Sequence, residues 1–131
     1  MANNFGDRVK AGQANVTVLN TADAKAAIDS SESALVIDVR DGGDLAATGV
    51  IPGSINISLG SLFYKADQTM PAGVKDDRLA DKSQEIFVTC KVGGQASIAA
   101  GVLNDYGYEN VSVIDGGILG WKDAGFGVED A

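Results

Sequence analysis

Histidine is absent from this chain of 131 residues, and cysteine occurs only once, at Cys90. A single cysteine cannot form an internal disulfide. Proteins build zinc sites mainly from Cys and His side chains, so a zinc site here would consist almost entirely of carboxylates. We therefore expect no metal site, and any chemistry at Cys90 must proceed without a histidine base.

Positive charge is also scarce, with 10 basic against 18 acidic residues and a net charge of −8. No cluster of Lys and Arg stands out, which argues against nucleic acid or an anionic membrane as a partner. The overall charge opposes the capture of an anionic substrate. An anion site would therefore have to be local, built from loop amides and, as an open alternative, from the side chain of Lys91.

Long apolar runs are missing as well. No run approaches about 18 residues, so the sequence predicts no membrane-spanning helix. The first 18 residues lack the basic start and apolar core of a secretory signal. Together with the single cysteine, these absences predict a cytoplasmic protein. The 17 glycines occur without a low-complexity block, which indicates tight turns within a chain long enough for one domain.

Strand and helix patterns alternate along the chain. The continuous apolar run at 34–39 is typical of a strand covered on both faces, and further strands are predicted at 16–19, 55–57, 86–89 and 110–114. Helical patterns follow at 21–28, 45–48, 96–106 and around Leu119 and Trp121, with Trp121 in the core. The alternation predicts an α/β fold with a mostly parallel central sheet and helices on both faces. Residues 1–15 are predicted to be a flexible lead-in, and residues 16–131 a single domain.

The stretch around Cys90 carries the strongest functional signal. A strand ends at Cys90, a turn with Gly93 and Gly94 follows, and a helix comes next. This arrangement aims backbone N–H groups and the positive end of a helix dipole at one sulfur atom. A free cysteine is only a few per cent thiolate at neutral pH. Hydrogen bonds to a charged acceptor, at about 1.5–3 kcal/mol each, would stabilise the anion.

The alternative is that Cys90 is a small apolar filler, as most free cysteines are. Its position at the carboxyl end of a strand favours a functional role, because open α/β sheets bind ligands at that edge.

Four motifs, in chain order, resemble those of the rhodanese family of single-domain sulfurtransferases. They are Asp38-Val39-Arg40, the segment 49–56 (GVIPGSIN), the six-residue loop Cys90–Gln95, and Gly116-Gly117 with Trp121 and Gly125. The resemblance covers roughly residues 16–128.

The resemblance implies sulfur transfer in two steps through Cys90. The thiolate takes a sulfane sulfur from a donor such as thiosulfate, becomes a persulfide, and passes the outer sulfur to a thiophilic acceptor. It also implies no cofactor, and a small sulfur donor and acceptor with a sulfur-acceptor protein as a further candidate partner. No long amphipathic surplus in the sequence suggests a dimer, so we expect a monomer. The substrate-binding residues would be Lys91, Val92, Gly93, Gly94 and Gln95. A catalytic role for Asp38 and Arg40 is an alternative, but we interpret them as structural support that fixes the turns beside the loop.

Two positions depart from the pattern of many relatives, which carry Arg where this chain has Gln95 and His where it has Val50. Gln95 removes a guanidinium from the pocket. Because charge-assisted contacts are worth about 1.5–3 kcal/mol, we expect only modest affinity for thiosulfate. We interpret Val50 as a change in packing.

The sequence bears on three alternatives to an enzyme of sulfur transfer. A phosphatase or arsenate reductase with a related loop would need a longer loop ending in Arg, whereas Ala96 follows Gln95 here. A non-enzymatic sulfur carrier or regulatory module would use the same loop, so that alternative stays open. Asp115-Gly116-Gly117 follows a strand but lacks the Gly-x-Gly spacing of a nucleotide-binding turn.

Overall fold

A computed structural model of the chain describes residues 3–131, in which five parallel strands form one sheet and five α-helices pack around it. The strands are β1 (Thr17–Leu19), β2 (Leu35–Asp38), β3 (Ile55–Asn56), β4 (Glu85–Thr89) and β5 (Asn110–Ile114), and the helices are α1 (Phe5–Gln13), α2 (Thr21–Ser30), α3 (Leu59–Lys65), α4 (Gly94–Asp105) and α5 (Gly117–Asp123). The strand order is β1-β5-β4-β2-β3, and every neighbouring pair is parallel. The predicted α/β fold is confirmed, with β1 and β3 at the two edges of the sheet.

Side chains alternate across the sheet and create a core on each face. In β4, Ile86 and Val88 pack into the larger core with α3 and α4, while Phe87 points to the smaller core with α2 and α5. Trp121 lies in the smaller core, where it is 2 % exposed and its Nε1 donates a hydrogen bond to the carbonyl of Gly127 at 2.9 Å. The prediction of a core position for Trp121 is confirmed. Strands buried on both faces explain the continuous apolar runs in the sequence.

The prediction of a flexible lead-in is wrong for residues 5–13, which form helix α1. The carbonyl oxygen of the Asn4 side chain accepts the N–H of Asp7 at 2.9 Å, and the Asp7 carboxylate accepts the N–H of Asn4 at 3.1 Å, so the helix begins with a capping box. The helix packs so closely on α4 that a Cβ at Gly101 would lie only 2.7 Å from the Cα of Gly12. Backbone contact at glycine leaves no apolar pattern in the sequence. Residues 1 and 2 of the predicted lead-in lie outside the described residues.

Smaller differences occur at helix ends and turns. The helix predicted at 45–48 is absent from the described chain, where a 3₁₀ turn covers Gly42–Asp44. Helix α2 is capped by Asn20, whose side chain accepts the N–H of Asp23 at 2.8 Å. Near the carboxyl end, Glu129 pairs with Val50 in an antiparallel bridge. Among residues 3–131 there is no helix with the length and apolar character needed to span a membrane.

Candidate active site at Cys90

Cys90 directly follows β4, the central strand of the sheet, and precedes helix α4. Gly93 turns the chain between them with φ 111° and ψ −14°, a left-handed conformation that only glycine adopts readily. The helix then begins at Gly94. The strand, the turn and the helix therefore hold Cys90 at the carboxyl edge of the sheet, the edge at which parallel α/β sheets bind ligands.

Backbone amides surround the sulfur of Cys90. Its Sγ accepts hydrogen bonds from the N–H of Gly93 at 3.0 Å and from the N–H of Ala96 at 3.4 Å. Four further N–H groups of the loop donate no hydrogen bond within residues 3–131, namely those of Lys91, Val92, Gly94 and Gln95. Amides that converge on one atom, as those of Gly93 and Ala96 do on Sγ, form an anion site without a cationic side chain. The loop can therefore stabilise a negatively charged sulfur.

A cavity of about 330 Å³ opens beside the sulfur and gives access to it. Its lining is formed by Phe5, Cys90, Lys91, Val92, Gly94 and Gln95. Cys90 itself is only 2 % exposed, whereas Phe5 and Val92 are each 59 % exposed. The sulfur thus lies at the bottom of an opening with two large apolar side chains at its margin. Lys91 is exposed and contributes the only charged side chain of this lining.

Asp38 and Arg40 form a buried ion pair next to the loop. The guanidinium contacts the carboxylate through Nε–Oδ1 at 3.0 Å and Nη2–Oδ2 at 2.7 Å. Its other contacts are to the hydroxyl of Thr48 at 2.8 Å and the carbonyl of Gly49 at 3.3 Å. Asp38 is fully buried and Arg40 is 3 % exposed. All of these contacts hold the turn after β2 in place, and they leave the guanidinium occupied within the protein.

Helix α5 supports the loop from the other side. The N–H of Ile118 donates to the carbonyl of Cys90 at 2.8 Å, and the N–H of Leu119 donates to the carbonyl of Lys91 at 3.2 Å. This contact requires Gly117, because a Cβ there would lie 2.5 Å from the Cys90 carbonyl oxygen. The sequence indicated only a turn at Gly116-Gly117. The contact of this turn with the Cys90 loop depends on the fold, and no local sequence pattern predicts it.

Helix α1 also contributes to the site, and the sequence did not predict this contribution. The side chain of Gln13 donates to the hydroxyl of Ser97 at 2.9 Å, and that hydroxyl donates to the carbonyl of Gly93 at 2.7 Å. At its other end, α1 places Phe5 in the cavity lining. The spacing of Phe5, Val9 and Gly12 is that of one helix face and was the one available signal.

No group of three or more potential metal ligands occurs among the described residues.

The family model of the rhodanese-like domain matches residues 20–124, and the chain belongs to this family. Among its relatives, the adenylyltransferase and sulfurtransferase UBA4 of Candida albicans is 33 % identical over 101 residues. That alignment covers 77 % of this chain but only 22 % of UBA4, so the chain spans about a fifth of the length of this relative.

Two solved structures extend the similarity to nearly the whole chain. The polysulfide-sulfur transferase homodimer of Wolinella succinogenes has a TM-score of 0.72 and 26 % identity, covering 97 % of this chain and 88 % of that one. A protein of unknown function from Rhodopseudomonas palustris, described as a possible tyrosine phosphatase, has a TM-score of 0.90 and 26 % identity, with coverage of 98 % and 96 %. The family and the relatives named as sulfurtransferases support sulfur transfer as the general function.

Proposed function

We propose that this protein is a sulfurtransferase in which Cys90 carries a sulfane sulfur as a persulfide. The observation that supports this most directly is the position of Sγ, which accepts two backbone N–H groups at the bottom of an open cavity. In this proposal, the second sulfur is received by the four N–H groups of the same loop that have no partner among the described residues. An anionic persulfide needs such donors, because its negative charge rests largely on the outer sulfur.

The transfer runs in two steps that balance without a redox reagent. The Cys90 thiolate attacks the outer sulfur of thiosulfate, a new S–S bond forms, the S–S bond of the donor breaks, and sulfite leaves with the electron pair. A thiophilic acceptor such as cyanide then attacks the outer sulfur, and the Cys90 thiolate leaves with its electron pair. Neither step requires a proton once the thiol is ionised, which suits a chain without histidine.

The other site residues have supporting roles in this proposal. Lys91, Val92, Gly93, Gly94 and Gln95 bind the transferred sulfur mainly through their backbone amides. Asp38 and Arg40 act as structural support, since their charges neutralise each other in a buried pair. The neutral Gln95 gives thiosulfate no ionic contact, so its binding should be modest.

Intact-protein mass after incubation with thiosulfate tests the proposal. We expect the wild type to gain about 32 Da, the mass of one sulfur atom, and to lose it on addition of cyanide, because the nucleophile is regenerated. The Cys90→Ser variant is the matched control and should gain no mass. If the wild type forms no adduct with thiosulfate, polysulfide or an organic donor, the proposal is wrong.

Turnover then separates an enzyme from a sulfur carrier. An enzyme produces many equivalents of thiocyanate for each Cys90 in the presence of thiosulfate and cyanide. A carrier loads one sulfur and shows no turnover with small acceptors. A phosphatase is disfavoured, because Arg40 is paired with Asp38 and the lining of the Cys90 cavity contains no Arg among residues 3–131. Cys90-dependent phosphatase activity would contradict the proposal.

A further inference from the structure

We propose that Phe5 determines donor specificity, and that the preferred donor carries its sulfane sulfur on an apolar organic group rather than on sulfite. This inference rests on the proposed function, in which Cys90 takes up a sulfane sulfur. It extends that function by naming a substrate class and the residue that selects it.

The ring of Phe5 lies directly over the backbone where helix α4 begins. A Cβ at Gly94 would be 2.8 Å from Cε2 and 2.9 Å from Cζ of the ring. The side chain is nevertheless 59 % exposed, because its other surface borders the cavity that leads to Cys90. Val92 adds a second apolar surface with the same exposed fraction. An aromatic or alkyl group bound in this cavity would remove both surfaces from water.

Helix α1 holds the Phe5 ring in this position from both ends. The capping box between Asn4 and Asp7 fixes the first turn, which contains Phe5. At the far end, Gly12 packs against the α4 backbone and Gln13 is hydrogen-bonded to Ser97. A side chain held on a packed helix is a pre-formed wall, and binding against it requires little ordering.

Charge disfavours a small dianion in the same cavity. Lys91 is the single charged side chain of the lining, it is exposed, and Gln95 is neutral. The neighbouring Arg40 is occupied by Asp38. The net charge of −8 adds a general repulsion for thiosulfate. An organic donor with one negative charge loses less to this repulsion and gains the contact with Phe5.

The chemistry with such a donor balances as it does with thiosulfate. The Cys90 thiolate attacks the terminal sulfur of an organic thiosulfonate, R–SO₂–S⁻, and a new S–S bond forms. The S–S bond of the donor breaks, and the sulfinate R–SO₂⁻ leaves with the electron pair. No oxidant, reductant or proton is needed.

A pair of donors isolates the apolar contribution. Benzenethiosulfonate and methanethiosulfonate carry the same charge and differ in phenyl against methyl, and each rate is normalised to its reaction with a free thiol in solution. We expect the wild type to prefer the phenyl donor in kcat/KM by about tenfold or more, the scale of apolar discrimination in a pocket. Phe5→Ala should lower this preference by about tenfold, mainly through KM.

Two further variants make the test decisive. Phe5→Lys should also abolish the phenyl preference and should raise kcat/KM for thiosulfate. Phe63→Ala is the control, since Phe63 is 48 % exposed on α3 and does not line the Cys90 cavity. It should leave the preference unchanged.

An unchanged preference in both folded Phe5 variants would overturn the inference while leaving the proposed function intact. Failure of every donor to load Cys90 would instead overturn the proposed function.

Discussion

Gly117 illustrates how a single residue limits the geometry of the site. Its φ of 58° is left-handed, and the space for a side chain is taken by the carbonyl of Cys90. The two hydrogen bonds from the start of α5 to the carbonyls of Cys90 and Lys91 depend on this close approach. The absence of a side chain at Gly117 therefore helps to fix the direction of the amides that face the sulfur.

Replacing Gly117 by Ala should displace the Cys90 loop. We expect at least a tenfold loss in the rate of persulfide formation, because misplacement of a reacting group by about 1 Å can lower rates by up to a hundredfold. The measurement is the rate of mass gain at Cys90 with excess donor.

Gly125→Ala is the matched control for this prediction. Gly125 has a similar left-handed φ of 84°, but no atom would lie within 4 Å of its Cβ. The control should lose about 1–2 kcal/mol of stability from backbone strain and keep the rate of loading. Equal rates in the two variants would show that contact with the loop is unimportant.

At the scale of single residues, the sequence predicts those site residues that are identified by a local sequence pattern. Cys90, Gly93 and Gly94 could be predicted because a strand, a glycine turn and a helix follow one another in the chain. Phe5 and Gln13 could not, since they reach the loop only through the packing of α1 on α4, two helices that are distant in sequence. No local pattern encodes which helix covers which loop.

Among the elements, helix α1 depends most on close backbone contact. Gly12 and Gly101 let α1 and α4 approach until their backbones touch. The hydrogen bonds from Gln13 to Ser97 and from Ser97 to Gly93 then connect α1 to the Cys90 loop. Loosening the contact between α1 and α4 should therefore lower the stability of the protein and displace the Cys90 loop.

Gly12→Ala should destabilise the protein by about 1–3 kcal/mol, as overpacking does in a close interface. A Cβ at Gly12 would overlap the carbonyl of Ser97. Urea unfolding measures the free energy, and faster amide hydrogen exchange in α1 locates the change.

Gly60→Ala is the control for an exposed helical glycine, as no atom would lie within 4 Å of its Cβ. Because alanine favours a helix over glycine, this variant should gain about 0.5–1 kcal/mol. A Gly12→Ala variant as stable as the wild type would contradict the close packing of α1 on α4.

The sequence predicted strands better than short helices. The strands lie between two helical layers, so their apolar runs are continuous and easy to recognise. Helix α1 has only a weak apolar stripe, because glycine replaces a large side chain at its contact. The helix predicted at 45–48 gives way to a 3₁₀ turn at Gly42–Asp44, near the buried Arg40 pair. Tertiary contacts override local propensity at such turns.

For the molecule as a whole, Tyr108 joins parts of the larger core that are distant in the chain. Its hydroxyl lies 2.9 Å from the carbonyl of Ala66, which follows α3, and 2.6 Å from the carbonyl of Leu79. Burial raises the pKa of Tyr108 above its usual value. Since the folded state resists deprotonation of this hydroxyl, its contribution to stability is complete below about pH 10 and is lost as pH rises further.

Tyr108→Phe should lower the free energy of unfolding by about 1–3 kcal/mol at neutral pH, because two carbonyls lose their partner. The difference between wild type and variant should shrink above about pH 10, where the unfolded wild type releases the phenolic proton more readily. Urea titrations at pH 7, 9 and 11 measure both effects. A difference that stays constant up to pH 11 would contradict the raised pKa.

The location of Phe5 has a practical consequence for handling the protein. Because α1 starts at the opening that leads to Cys90, an extension joined directly ahead of the Asn4 cap would begin near that opening. Such an extension could shield the thiol from labelling reagents or add its own side chains to the opening. Assays of sulfur loading should therefore use protein from which an amino-terminal tag has been removed.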